Sequence, residues 1–284
     1  MKVRQVVLLG VVAGILLTLG GCNWLKVGYR WADSVILFKV NQYLDLSDEQ
    51  EDSLEAVIAE KIRWHRHTQL PQYRQFLAQF KVAVSQELTP GRVEILFTRW
   101  AELQNALFLK LIPPAAALLL STTEEQQLRL RKRLEADNQE MAKTFQLPEA
   151  ERRSKRARWL QEIFENWIGP LTTAQEPLMI QFARSTPLQE ELRLENRLQG
   201  QEKFFTQLQQ KQTATALAAL LNQLWVYDYQ KAVKVYPKQH KEVKKSYQSL
   251  MVEVYKLMTE KQKTELLQNI DEMSAMFLEM EHES

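Results

Sequence analysis

The chain has 284 residues, 37 basic and 35 acidic, for a formal charge of +2 at neutral pH, a balance that argues against nucleic acid as a partner. One cysteine leaves no mate for an internal disulfide, and eight glycines without a Gly-x-Gly cluster exclude dinucleotide and P-loop cradles. With so few residues suited to positive-φ turns, and with Leu, Gln, Glu, Lys, Arg and Ala dominant, the expected fold is all-α.

At the N-terminus, Lys2 and Arg4 precede an apolar run over residues 6–19. The run is too short to span the roughly 30 Å hydrocarbon core as a helix, and its flanks are those of a secretory signal. It ends in Leu19-Gly20-Gly21-Cys22, which resembles the lipobox of bacterial lipoproteins. There the cysteine thiol takes a diacylglycerol through a thioether before cleavage. This reading divides the chain into a signal peptide, 1–21, and a mature helical domain, 22–284, held to a membrane by acyl chains such as palmitate on Cys22. Loss of Lys2 and Arg4 leaves 35 basic residues against 35 acidic ones, a net charge of zero.

Asn23 follows the cysteine. An Asp at that position commonly holds lipoproteins in the inner membrane of enteric-type bacteria, so Asn23 resembles an outer-membrane sorting signal, with the body facing the periplasm. Inner-membrane retention and surface display stay open, because lineages sort differently. Trp24, Tyr29 and Trp31 either sit at headgroup level or pack on the helix that carries Val35, Ile36, Val40, Tyr43 and Leu44.

Five helix starts share one pattern: Leu46-Ser47-Asp48-Glu49-Gln50, Leu88-Thr89-Pro90-Gly91-Arg92, Leu120-Ser121-Thr122-Thr123-Glu124, Leu171-Thr172-Thr173-Ala174-Gln175 and Met258-Thr259-Glu260-Lys261-Gln262. The hydroxyl accepts from an orphan N–H, and a Gln or Glu at the third helical position bonds back. Pro90 suits the first helical position, and Leu88 and Val93 have the spacing of a hydrophobic staple.

Between these starts the apolar spacing is helical. The stripes include Tyr73, Phe76, Leu77, Phe80, Val84; then Val93, Leu96, Trp100, Leu103, Leu107; then Leu128, Leu134, Met141, Phe145; and, near the end, Leu266, Ile270, Met273, Phe277. Prolines, including Pro71, Pro113 and Pro114, are expected to begin, kink or end helices. The sum is a multi-helix bundle of about nine or ten helices. A subdomain boundary is expected near 187–212, a Gln-rich stretch kept helical by Phe204, Phe205 and Leu208.

The segment Trp64-His65-Arg66, followed by Pro71 and Tyr73, is the most unusual local composition. At 100° per residue His65 shares a face with Leu54, Ile58 and Ile62, Trp64 lies near its edge, and His67 points elsewhere. A buried imidazole with acidic partners titrates near neutral pH and hints at function; with a hydrogen bond alone it is a core residue. No His pair has metal-ligand spacing, so no metal and no cofactor are expected. Neither a Gly-x-Ser-x-Gly elbow nor a His-Glu-x-x-His is present, and no cysteine is free as a nucleophile; no catalytic residue is assigned.

Charge is segregated. Residues 45–60 and 265–284 are acidic; 129–158 and 231–263 are basic. The run Arg152, Arg153, Lys155, Arg156 and Arg158 sits early in its helix, where the macrodipole disfavours cations. That makes it the candidate surface for an anionic partner.

The lipobox, Tyr43-Leu44-Asp45-Leu46-Ser47, and Trp64-His65-Arg66 with Leu70-Pro71 and Tyr73 resemble an uncharacterised proteobacterial lipoprotein family, a domain of unknown function. The resemblance concerns mostly residues 1–80; it implies lipoprotein status and offers no activity, because that family has no assigned function. Leu171-Thr172-Thr173-Ala174-Gln175, and more loosely residues 46–50, are similar to the motif of LTxxQ periplasmic chaperones, which cradle unfolded clients. The expected function is therefore a non-enzymatic outer-membrane lipoprotein with a protein-interaction or envelope-maintenance role, its partners being the membrane and other envelope proteins. A chaperone-like holdase is the alternative, and a hydrolase of envelope polymers using His65 the third reading.

Overall fold

The computed structural model describes residues 28–210, 213–226 and 237–282. Of these, 87% are helical and none lies in a strand, which is the expected all-α architecture. A helical turn at 28–30 leads into α1 (Ala32–Leu44), followed by α2 (Asp48–Trp64), a π-helical turn (His65–Gln69) and α3 (Leu70–Ser85). Then come α4 (Pro90–Leu120), α5 (Glu124–Phe145), α6 (Glu149–Ile168), α7 (Glu176–Ser185), α8 (Glu190–Gln209), α9 (Ala214–Trp225), α10 (Pro237–Lys256) and α11 (Glu260–His282). Because α2 and α3 run on through the π turn, the described helices of more than one turn number ten.

The helix starts follow the local chemistry. Ser47 accepts from the Gln50 N–H and Thr123 from the Gln126 N–H, each glutamine bonding back to close a capping box. Thr89 caps α4 ahead of Pro90, and the staple residues Leu88 and Val93 are both buried. One expectation changes, and the place of Pro113 and Pro114 is fixed: they lie inside α4, which continues to Leu120. The carbonyls they leave without donors belong to Leu109 and Lys110, both exposed and so within reach of solvent. In α5 Leu128 is exposed and Leu130 is buried, so the inward stripe is Leu130, Leu134 and Asp137.

Two large apolar cores form, beside a smaller one of Ala83, Leu88, Val93, Leu96 and Val252. One gathers α3, α6, α7, α10 and α11 around Leu70, Met179, Val254, Ile270 and Met280. The other gathers α1, α5, α8 and α9 with the C-terminal half of α4, around Ile112, Phe205, Leu217 and Leu221. The 31-residue α4 contributes to both, with Leu103 in the first and Ile112 and Ala116 in the second. These cores interleave along the chain: α8 and α9 build the second, whereas α10 and α11 return to the first. Within residues 187–212, α8 buries Phe204, Phe205 and Leu208 in the second core.

Candidate functional site

The lipidation and sorting positions, Cys22 and Asn23, lie outside the described residues, as does Trp24. Tyr29 and Trp31 take different roles: Tyr29 is buried in the first core and Trp31 is exposed.

Pro71 shapes the next candidate. It has no N–H, and in an unbroken α-helix its ring would meet the carbonyl of residue 67. The preceding turn widens instead. Residues His65–Gln69 are π-helical, with the Leu70 N–H bonded to the His65 carbonyl five residues back. Such turns recur at functional sites, and here the widening carries α2 into α3 without a break. The burial phase is the expected one, with Ile58 and His65 buried, Ile62 and Trp64 half-buried and His67 exposed.

His65 is 7% exposed. Its Nδ1 shares a 2.9 Å hydrogen bond with the Tyr29 hydroxyl, and its Nε2 is buried without a hydrogen-bond partner among the described residues. The imidazole centroid stands 5.7 Å from the Tyr29 ring and 5.6 Å from the Tyr73 ring. Tyr73 in turn meets Trp100 and Phe277 at 6.1 and 6.0 Å. Burial lowers the His65 pKa to about 4 and pushes the Tyr73 hydroxyl well above its ordinary value. Arg66 lies over the Tyr29 ring at 5.5 Å, and Lys110 lies 5.7 Å from the Trp64 ring. The partner of His65 is thus a phenol rather than a carboxylate. The group is a neutral imidazole enclosed by aromatic rings, and it locks the first described turn of the chain onto the helical body.

The basic run of α6 finds its partners within the chain. Arg153 donates to the Ala183 and Thr186 carbonyls at 2.5 and 3.1 Å and pairs with Glu149 at 2.8 Å. Arg156 donates to the Thr186 and Pro187 carbonyls at 3.1 and 3.2 Å and reaches Glu190 at 3.4 Å. Arg152 lies 3.4 Å from Glu191, and Lys155 lies 3.0 Å from Glu151. The end of α7 presents orphan carbonyls and the negative pole of its dipole, and α8 opens with Glu190 and Glu191. Cations early in α6 are therefore accounted for by the α7–α8 corner. Arg158 is exposed.

A polar cluster that the sequence reading missed lies between α1, α5 and α8. The Tyr43 hydroxyl donates to Asp137 at 2.6 Å, Arg197 to the Asn138 side chain at 2.6 Å, and Asn138 to Gln201 at 2.7 Å. Asp137 and Asn138 are both buried. Burial raises Tyr43, with the Asp137 hydrogen bond adding to it; burial lowers Arg197, which the Asp137 charge opposes. The trace of this cluster in the sequence is an Asp seven residues beyond Leu130 and three beyond Leu134, on their face. Buried Asp137 and Asn138, with half-buried Arg197 and Gln201, hold three helices in one arrangement.

A shallow depression of about 480 Å³ runs along α7, lined by Pro177, Ile180, Gln181, Arg184 and Ser185. Among the described residues no group of three or more His, Cys, Asp or Glu is placed to hold a metal ion.

The chain belongs to a family of unknown function, DUF6279, whose model matches residues 42–230. The matched span contains the π turn, the Asp137 cluster and the α6 arginines. No curated protein and no solved structure matches the chain.

Proposed function

We propose that this family member is a lipid-anchored, non-enzymatic lipoprotein of the outer membrane that presents its helical body to the periplasm for interaction with other envelope proteins or for envelope maintenance. The observation that carries the reading is the chain's one cysteine, Cys22, placed directly behind a basic and apolar leader and the small residues Gly20 and Gly21. Acyl chains on Cys22 are the membrane contact, and Asn23 directs the sorting. The burial of Tyr29 against His65 supports it, because a short link then joins the anchor to a packed body. The enclosure of His65 counts against a hydrolase built on that residue, since a general base must reach its substrate. The glutamines of the LTxxQ-like starts are drawn inward, which counts against their presentation to clients in a holdase.

Radiolabelled palmitate fed to cells expressing the wild type and Cys22→Ala tests the anchor. The expected result is label on the wild type alone, with the variant released from the membrane fraction; equal labelling overturns the reading. Asn23→Asp is expected to shift the protein toward the inner-membrane fraction. Affinity capture from solubilised envelopes identifies the partner.

A further inference from the structure

The first long helix is apolar on two sides. Tyr43 and Leu44 are buried against the body and Ile36 and Val40 half-buried, while Trp31, Val35 and Phe38 are 63%, 47% and 59% exposed. Positions 31, 35 and 38 fall on one helical face, and the exposed apolar stripe stops there: Lys39, Gln42 and Asp45 follow. Arg30 and Lys39 flank it. Three large apolar side chains on one unpartnered face call for a covering surface.

We propose that this face rests on the bilayer surface, with Trp31, Val35 and Phe38 seated at the headgroup–acyl boundary and Arg30 and Lys39 toward anionic headgroups. The inference rests on acylation of Cys22, and the length of the intervening chain points to the bilayer. Five residues lie between Cys22 and Gly28, and however they are arranged the six steps from one Cα to the other reach at most about 22 Å. The stripe occupies the end of α1 nearest that anchor. A surface held so close to the lipid meets it at an effective concentration that makes a weak contact persistent. Trp and Phe are the residues that settle at this depth, and cations beside them are drawn to anionic lipid. The contact would lay α1 along the membrane and set the orientation of the body above it, since Tyr29 and Tyr43 fasten the opposite side of that helix to both cores.

The test uses the full acylated chain, purified from membranes and reconstituted in vesicles of phosphatidylethanolamine and phosphatidylglycerol. In the acylated protein the Cys22 sulfur is a thioether, so a cysteine introduced by Val35→Cys is the sole reactive thiol. An environment-sensitive fluorophore is attached there, and in a second variant at Glu125→Cys on the exposed start of α5. Blue-shifted emission and protection from aqueous iodide at 35 but not at 125 support the proposal. Equal quenching at both positions, in protein that floats with the vesicles, overturns it and leaves the anchor standing. Protection at 35 in native envelopes but not in lipid vesicles also overturns it and assigns the face to a protein partner. Protein that does not float and takes two fluorophores per chain overturns the anchor and the proposal together. Both substituted side chains are exposed, and an unchanged melting temperature confirms the fold.

Discussion

Gln175 and Gln262 donate to one another across the first core. The Gln175 amide reaches the Gln262 carbonyl oxygen at 3.1 Å, and the Gln262 amide returns to Gln175 at 2.9 Å. Each oxygen also accepts from the backbone N–H at its own helix start, Thr172 at 3.0 Å and Thr259 at 3.1 Å. Each amide has a second acceptor on the partner's side: Gln262 donates to the Pro170 carbonyl at 2.9 Å and Gln175 to the Val254 carbonyl at 3.4 Å. Both donors and both acceptor sites of each side chain are thereby engaged. The same arrangement recurs at Gln50 and Gln126, which exchange bonds at 3.2 and 2.6 Å and reach the Ser121 and Asp45 carbonyls. Three of the five shared starts carry a glutamine at the third helical position; the fourth glutamine, Gln175, stands three residues past Thr172 and directly before α7, and the four meet in pairs. The fifth start, at Thr89, carries Arg92 and has no such mate. Glutamate would serve a capping box as well as glutamine does, but it could not donate across the pair.

Gln175→Glu is therefore expected to destabilise the protein, although it preserves the acceptor for the Thr172 N–H. Gln175 is fully buried, and the substitution sets a carboxylate against the Gln262 oxygen and the Val254 carbonyl, with no donors of its own. Loss of those bonds and burial of the charge are worth about 2–4 kcal/mol. At the half-buried Gln50 the same change should cost less. Chemical denaturation of both variants checks the ranking; a smaller effect at 175 than at 50 contradicts it.

Acid should weaken the fold through His65. Its folded pKa is lowered to about 4 against an ordinary 6.5, so between those values the unfolded chain binds a proton that the folded one refuses. The stability contributed by the neutral imidazole is present in full above pH 6.5 and is lost as pH falls toward 4, by about 3 kcal/mol. His65→Gln, which keeps a polar mate for the Tyr29 hydroxyl, should flatten that part of the stability–pH curve. His67→Gln at the exposed neighbour is the control. Identical slopes in the His65 variant and the wild type would show that the imidazole does not carry the effect.

Gly169 should not tolerate alanine. It ends α6 at φ +73° and ψ −169°, a region that belongs to glycine, and strain there is worth about 1–3 kcal/mol. A Cβ would also stand 2.6 Å from a carboxylate oxygen of Glu265, the mobile end of a long side chain, so the backbone term dominates. The double variant Gly169→Ala with Glu265→Ala tests that order: denaturation midpoints should recover little. Full recovery would assign the cost to the carboxylate instead.

Much of the site was readable because its rules are local. The phase of His65 relative to Ile58 and Ile62 follows from 100° per residue, and the burial of Tyr73 and Leu77 follows the same stripe. Where the reading failed, the deciding partner was distant. Arg153 and Arg156 look like an open basic run until residues 183–190 fold against them. Leu128 and Leu130 are equally apolar, and the neighbours that α5 meets select Leu130 for the interior. Tyr29 and Trp31 are two residues apart and so must face different ways; which of them the body takes depends on where the π turn presents His65.

Local chemistry alone determines that this chain is helical, where its hydroxyl-capped helices begin, and that its one cysteine stands at a lipobox-like junction, because capping, periodicity and composition act over a few residues. The glutamine pairs join residues 76 and 87 apart, and the Tyr43–Asp137 bond spans 94. No repeat in the sequence reports such separations. A glutamine at a helix start satisfies its own cap with one oxygen lone pair, and the remaining bonds stay open until a second helix start arrives. The exposed face at Trp31, Val35 and Phe38 is likewise a product of packing, since the burial of the other side of α1 is what leaves that one uncovered.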